Sequence, residues 1–319
     1  MIEKIRRYLK KKMRRHNNQK HIADYPECSG GWEKYENNPI LGDNKTGTMF
    51  DPFVRWMNER YTMCVSRRRD NTLMLYTSDN GIDWTDGKVI LKGIADSSWE
   101  TEVNRGCFVI LNKKWYLWYT GQHRQQSRIG LAISEDGVHF HRKSDIPVLE
   151  PEYEFEGSAV MNPCVLWDEE RQKFRMWYAA GENYEPDVIC YAESHDGIRW
   201  EKHPKPILTK DEGVKYQQYK VGACDIIKRK DGSYLMAYIA YQNLDVARIA
   251  MAVSSDGTND WRDLSDLPIL SPGKGKWDCN SVYKPTLCIT DDSVLLWYNG
   301  RGKHSESIGF AYKKRLDIL

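Results

Sequence analysis

A unit of about sixty residues recurs along this 319-residue chain, and a repeat of that length leaves few folds open to it. Four segments carry the same pattern: an apolar strand ending in Ser, a tight turn with Asp or Asn before Gly, and an aromatic residue. They are Leu75 to Trp84, Leu131 to Phe140, Tyr191 to Trp200 and Met251 to Trp261. Their serines, Ser78, Ser134, Ser194 and Ser254, are 56, 60 and 60 residues apart. Asn-Gly and Asp-Gly between extended runs mark turns, because glycine takes a positive φ without a steric penalty. Upstream of each turn lies a second hairpin whose later strand is aromatic, as in Tyr116-Leu-Trp-Tyr and Phe174-Arg-Met-Trp-Tyr.

Each unit therefore reads as four antiparallel strands, the sheet of a propeller blade. A fifth unit runs to Tyr312 and stops before its turn, its tryptophan and its Pro-Ile-Leu. The missing piece stands at the other end, where Trp32-Glu-Lys-Tyr leading to Pro39-Ile-Leu41 matches Trp200-Glu-Lys-His leading to Pro206-Ile-Leu208. The pattern predicts an all-β, five-bladed β-propeller over residues 30–319, closed by an N-terminal strand that completes the last blade. Such closure leaves no sheet edge unpaired between the first and last blades.

Charge is unevenly distributed. The formal net charge is +2, but residues 1–15 hold eight basic side chains against Glu3, so that segment is +7 and the remainder −5. A body of that sign is a poor general binder of nucleic acid. Residues 1–20 read as a separate basic segment, with Ile2, Ile5, Leu9 and Met13 on one helical stripe. Two readings stay open for it: peripheral contact with an anionic membrane through residues 1–15, or a solvated tail or oligomer contact. None of the eight cysteines stands in a zinc-type spacing, no secretory h-region precedes them, and the expectation is a reduced, cytoplasmic protein with no cofactor and no metal.

In a propeller the inner strands converge on an axial funnel. The inner-strand starts place Asp51, Arg105, Asn162, Gly222 and Lys284 at equivalent positions, four of them polar where an apolar residue is the default. Asn104 stands beside Arg105. The loops after the aromatic strands add Arg68, His123, Arg124, Glu182, Arg301 and His304 as candidate ligand contacts. Residues preceding the inner strands add the carboxylates Glu100, Glu102, Glu156 and Asp278, with Trp99 and Trp277 nearby as stacking platforms for a sugar.

The Asp51-Pro-Phe-Val opening and the repeated aromatic strands resemble family-43 glycoside hydrolases and their relatives in family 32, over roughly residues 30–313. The resemblance implies attack at a sugar's anomeric carbon, with Asp51 as base or nucleophile and a Glu as acid. One carboxyl must be ionised while the other donates a proton. The chain departs from that pattern at Asn162 and Gly222, where acidic residues are expected, which leaves Glu102 and Glu156 as substitute acids. The cations of the ring point to an acidic or phosphorylated sugar as ligand. Three readings follow: a glycoside hydrolase, a membrane-associated glycosyltransferase-like enzyme of surface-polysaccharide biosynthesis, and a carbohydrate-binding propeller without catalysis.

Overall fold

The computed structural model describes residues 24–42, 47–182, 184, 186–303 and 305–314. The basic segment 1–20 and His304 lie outside the described residues. The described chain is all-β, and its strands fall into antiparallel groups of four. A short strand β1 (Glu33–Lys34) comes first. The first unit is β2 (Met49–Met57), β3 (Arg60–Arg67), β4 (Thr72–Ser78) and β5 (Lys88–Lys92). The second is β6 (Glu102–Leu111), β7 (Lys114–His123), β8 (Gln126–Ser134) and β9 (His141–Arg142). The third is β10 (Ala159–Asp168), β11 (Lys173–Gly181), β12 (Val188–Ser194) and β13 (Glu201–Lys202). The fourth is β14 (Lys220–Lys228), β15 (Tyr234–Tyr241), β16 (Ala247–Ser254) and β17 (Arg262–Asp263). The last contains β18 (Ser281–Ile289), β19 (Ser293–Arg301) and β20 (Glu306–Lys314), with β1 hydrogen-bonded along β20 as its fourth strand. In that pairing Glu33 faces Tyr312 and Lys34 faces Ala311, while Leu41 bridges Ile308 further along.

The Ser-x-Asp-Gly turns are built by side chains. Ser194 Oγ accepts the Gly197 amide at 2.8 Å, and Asp196 Oδ1 accepts the amides of Ile198 and Arg199 at 2.9 and 2.8 Å. Gly197 itself sits at φ +74°, a conformation that an L side chain rarely adopts. These turns also clamp neighbouring units together. Trp118 donates to Gly197 O at 3.0 Å, Trp177 to Gly257 O at 2.7 Å and Trp297 to Gly81 O at 2.7 Å. All three indoles are fully buried, so each bond is made in a setting where an unmet donor would be costly.

A second repeated device explains the carboxylates that precede the inner strands. Glu100 accepts Tyr119 OH at 2.8 Å and pairs with Arg142 of β9 at 2.9 Å. Glu156 accepts Tyr178 OH and pairs with Lys202 of β13, each at 2.8 Å. Asp278 accepts Tyr298 OH at 3.3 Å and pairs with Lys34 of β1 at 2.6 Å. In the fourth unit the charge moves outward: Tyr238 donates to Asp263 of β17, and Gln217 stands where the others have an acid. Lys34 thus fills in the last sheet the place that Lys202 fills in the third.

Candidate active site

The start of every inner strand carries a bulge. The β2–β3 ladder slips between Phe50 and Phe53, β6–β7 between Asn104 and Cys107, and β10–β11 between Met161 and Cys164. The same slip falls between Gly222 and Cys224 and between Tyr283 and Thr286. The bulged residue adopts a left-handed backbone each time: Asp51 at φ 57°, Arg105 at 55°, Asn162 at 55°, Ala223 at 25° and Lys284 at 48°. Five non-glycine residues in this sparsely populated region, at one level of the fold, store strain where a functional rim is expected. The fourth member of the ring is Ala223, not Gly222. In the other four units a Pro or Gly follows the bulged residue; in the fourth Cys224 follows it, and the bulge stands one residue beyond Gly222.

Two of the polar ring members meet. Arg105 Nε lies 3.2 Å from Asp51 Oδ2, and both side chains are largely buried. A chain of hydrogen bonds holds the guanidinium in place. Ser127 Oγ accepts Gln122 Nε2 at 3.1 Å, Gln122 Oε1 accepts Asn104 Nδ2 at 2.7 Å, and Asn104 Oδ1 accepts Arg105 Nη1 at 3.1 Å. On the other flank the Asp51 amide donates to Asn299 Oδ1 at 3.2 Å. Glu306 accepts Tyr283 OH at 2.6 Å and stands 3.5 Å from Arg68, whose guanidinium covers the Phe50 ring. Burial pushes the Asp51 carboxyl above the usual carboxylate range. Arg105 and Lys284 pull it back, and the charge of Glu306 adds to the rise.

Several buried polar atoms of this rim have no hydrogen-bond partner: Asp51 Oδ2, Asn162 Oδ1 and Asn299 Nδ2. Lys284 is 1% exposed and makes no hydrogen bond or ion pair among the described residues. Buried groups of this kind are costly unless something outside the chain completes them. Asn299 and Glu306 were missed in the sequence. They lie on the second and third strands of the last unit, and the inner-strand motif gives no signal there.

The remaining candidates divide. Glu102 opens β6 half-buried, opposite Gln122, and makes no ion pair among the described residues. Glu156 is committed elsewhere. Its carboxylate accepts the Glu152 and Tyr153 amides, Tyr178 OH and Lys202, and these outweigh burial to hold its pKa below the usual range. A group so held is a poor proton donor. Trp99 and Trp277 are also structural: Trp99 lies over Gly121 and Gly130, Trp277 over Gly300 and Gly309, where a Cβ would collide with the indole. His123 contacts Thr101 Oγ1 at 3.3 Å, Arg124 sits exposed in the β7–β8 turn, and Glu182 is exposed beside Ser158. Arg301 is tied to Asp245 O and Ser281 Oγ. No group of three or more His, Cys, Asp or Glu with the geometry of a metal site occurs among the described residues.

A family model described as "Glycosyl hydrolases family 32 N-terminal domain" matches residues 7–104 and 94–228. An uncharacterized protein of Mycobacterium tuberculosis is 29% identical over 209 residues, covering 61% of this chain and 66% of that protein. A 1,2-beta-oligomannan phosphorylase of Thermoanaerobacter sp. is 28% identical over 157 residues, covering 49% of this chain and 47% of the phosphorylase. The matches thus span just under two thirds of the first relative and about half of the second. Among solved structures, a thermostable family-43 glycoside hydrolase superposes with a TM-score of 0.69 at 18% identity, over 84% of this chain and 93% of that one. A structure from the GH130 family of mannoside phosphorylases, which contains glycoside hydrolases that target beta-1,2 mannosidic linkages in Candida mannan, gives 0.68 at 13% identity, over 91% and 95%. These two likenesses establish the propeller fold.

Proposed function

Because the chain belongs to the family of the glycosyl hydrolases family 32 N-terminal domain, we propose that it cleaves a glycosidic bond at the rim containing Asp51, and that it acts on mannosides. One observation carries the reading: Asp51, Asn162 and Asn299 bring buried polar atoms without a partner to the bulged ends of the inner strands, where Arg105 and the buried Lys284 add positive charge. A sugar presents hydroxyls that donate and accept, and so suits a set of two oxygens and one amide donor. The family resemblance casts Asp51 as base or nucleophile. Its raised pKa favours the proton donor instead. In the step, the bond from the anomeric carbon to the glycosidic oxygen breaks, Asp51 gives its proton to that oxygen, and an oxygen of phosphate bonds to the anomeric carbon. Where water attacks instead, the proton it loses passes to solvent and Asp51 is reprotonated from there.

Phosphate is favoured as the acceptor by Arg105 beside the acid and by the charge of Lys284 that acts on it, and by the phosphorylase name of the Thermoanaerobacter relative. The same reading takes the four-stranded groups as five blades of a closed ring. The Trp297 to Gly81 clamp and the bond from the Val54 amide to Thr286 Oγ1, both between the last unit and the first, support closure. A second reading, a glycosyltransferase-like enzyme at an anionic membrane, draws on the +7 charge of residues 1–15.

The test is incubation with β-1,2-linked mannobiose and longer oligomannosides, with and without inorganic phosphate. Mannose 1-phosphate formation, lost by at least about a hundredfold in Asp51→Asn, supports the reading. No turnover of any mannoside, or turnover untouched by Asp51→Asn, overturns it.

A further inference from the structure

Lys284 sets the problem. It is an almost completely buried lysine whose ammonium meets no acceptor within hydrogen-bond or ion-pair reach among the described residues. The carboxylates that act on it electrostatically are Asp51 and Asp225. Asp225 is already committed. It holds Arg55 through both oxygens at 2.6 and 3.0 Å and accepts the Leu287 amide at 2.7 Å. Asp51 is therefore the one counter-charge that Lys284 can draw on at the rim, and Arg105 draws on the same carboxylate from 3.2 Å.

Two cations sharing one carboxylate have two balanced states. With Asp51 ionised, part of their charge is met inside the chain. With Asp51 protonated, the buried Lys284 and the largely buried Arg105 both lose that counter-charge, which is expensive unless an anion enters. We propose that Arg105 and Lys284 form an oxyanion site that fills as Asp51 takes up a proton, so that a bound anion and a protonated acid occur together. This rests on the reading of Asp51 as the proton donor, and it adds a coupling that a merely cationic pocket would lack. Asp51 surrenders its share of two cations to the anion, and the anion's negative charge then holds the proton on Asp51. By linkage each event favours the other to the same extent.

The other charged groups facing Asp51 do not offer the same exchange. From β20, Glu306 repels Asp51 but is engaged by Tyr283 OH and Arg68. From β18, Tyr283 is kept in its neutral form by burial and by Glu306. Arg68 sits more than half exposed over Phe50, with Glu306 as its ion-pair partner. Asn299, the contact from β19, does not titrate. Asp51 is left as the group whose protonation frees charge at this place.

Inorganic sulfate is a suitable probe, because its charge is constant across the neutral and mildly acidic range. Calorimetric titration of the full-length protein with sulfate at a series of pH values reads the coupling directly. The expected dissociation constant rises by up to about tenfold per pH unit above the Asp51 pKa, the limit for uptake of one proton. Asp51→Asn is expected to bind sulfate with little pH dependence, and Lys284→Met to bind weakly throughout. Titrations in buffers of different ionisation enthalpy should show close to one proton taken up per sulfate in the wild type and none in Asp51→Asn. A flat wild-type profile, or a slope that survives in Asp51→Asn, overturns the proposal. Mannoside cleavage measured on the same preparations separates the two readings. Asp51-dependent cleavage with flat sulfate binding removes only the coupling, whereas coupled sulfate binding without cleavage removes only the enzymatic role.

Discussion

At the scale of single residues, chemically similar carboxylates take opposite parts because their partners differ. Asp51 is buried with one carboxylate oxygen lacking a hydrogen bond, and its pKa rises. Glu156 is buried with every oxygen engaged, and its pKa falls. Sequence position did not separate them, since both stand near the start of an inner strand. Glu156→Gln should cost about 3–5 kcal/mol at neutral pH, because Lys202, 4% exposed, loses its close counter-charge and keeps only the exposed Glu152 at 4.0 Å. A lowered folded-state pKa means that this stabilisation is present above the ordinary glutamate pKa and fades as pH falls through the lowered one. Urea denaturation over a pH series should therefore show the gap between wild type and variant closing on the acid side. Turnover per folded molecule should be unchanged, and a hundredfold loss of it would restore Glu156 as an acid.

At the scale of elements, the Asp-Gly turn was legible in the sequence as a connection but not as a clamp. The spacing of Ser194, Asp196 and Gly197 is enough to specify a turn, because the bonds that close it are local. That Gly257 O also receives Trp177 Nε1 depends on where the next sheet lies. Trp177→Phe keeps most of the buried aromatic area and loses only the donor, so the cost should be about 1–3 kcal/mol, the price of an unmet buried carbonyl. A thermal or chemical denaturation curve checks this. A variant as stable as the wild type would make the clamp incidental. The inner-strand bulges were half legible: Asp51-Pro, Asn162-Pro and Lys284-Pro mark three of them, and Arg105-Gly marks a fourth. The bulge at Ala223 has no such flag, and the sequence pattern points to its neighbour Gly222 instead.

At the scale of the whole molecule, one ion pair ties distant units. Arg55 of β2 grips Asp225 of β14, and Asp225 also accepts the Leu287 amide of β18. Burial opposes the charge on Asp225, but Arg55 and that amide outweigh it and keep the group ionised. Arg55→Met alone should cost about 3–5 kcal/mol by leaving a buried carboxylate, and Arg55→Met with Asp225→Leu should recover most of the loss. Tryptophan fluorescence in a denaturant series reads both, and equal losses in single and double variants would mean that the pair acts through packing alone. The contrast between these scales has a physical basis. Periodicity, turn chemistry and the split repeat are properties of neighbours along the chain, so the sequence by itself determined the strands, their grouping in fours and the partner that Trp32–Leu41 would seek. Arg105 against Asp51, Lys34 against Asp278 and Glu306 beside Tyr283 join residues between 23 and 244 positions apart. Only the tertiary structure decided those meetings, because the charge, burial and missing partners that give a carboxyl its chemistry exist only once remote strands stand side by side.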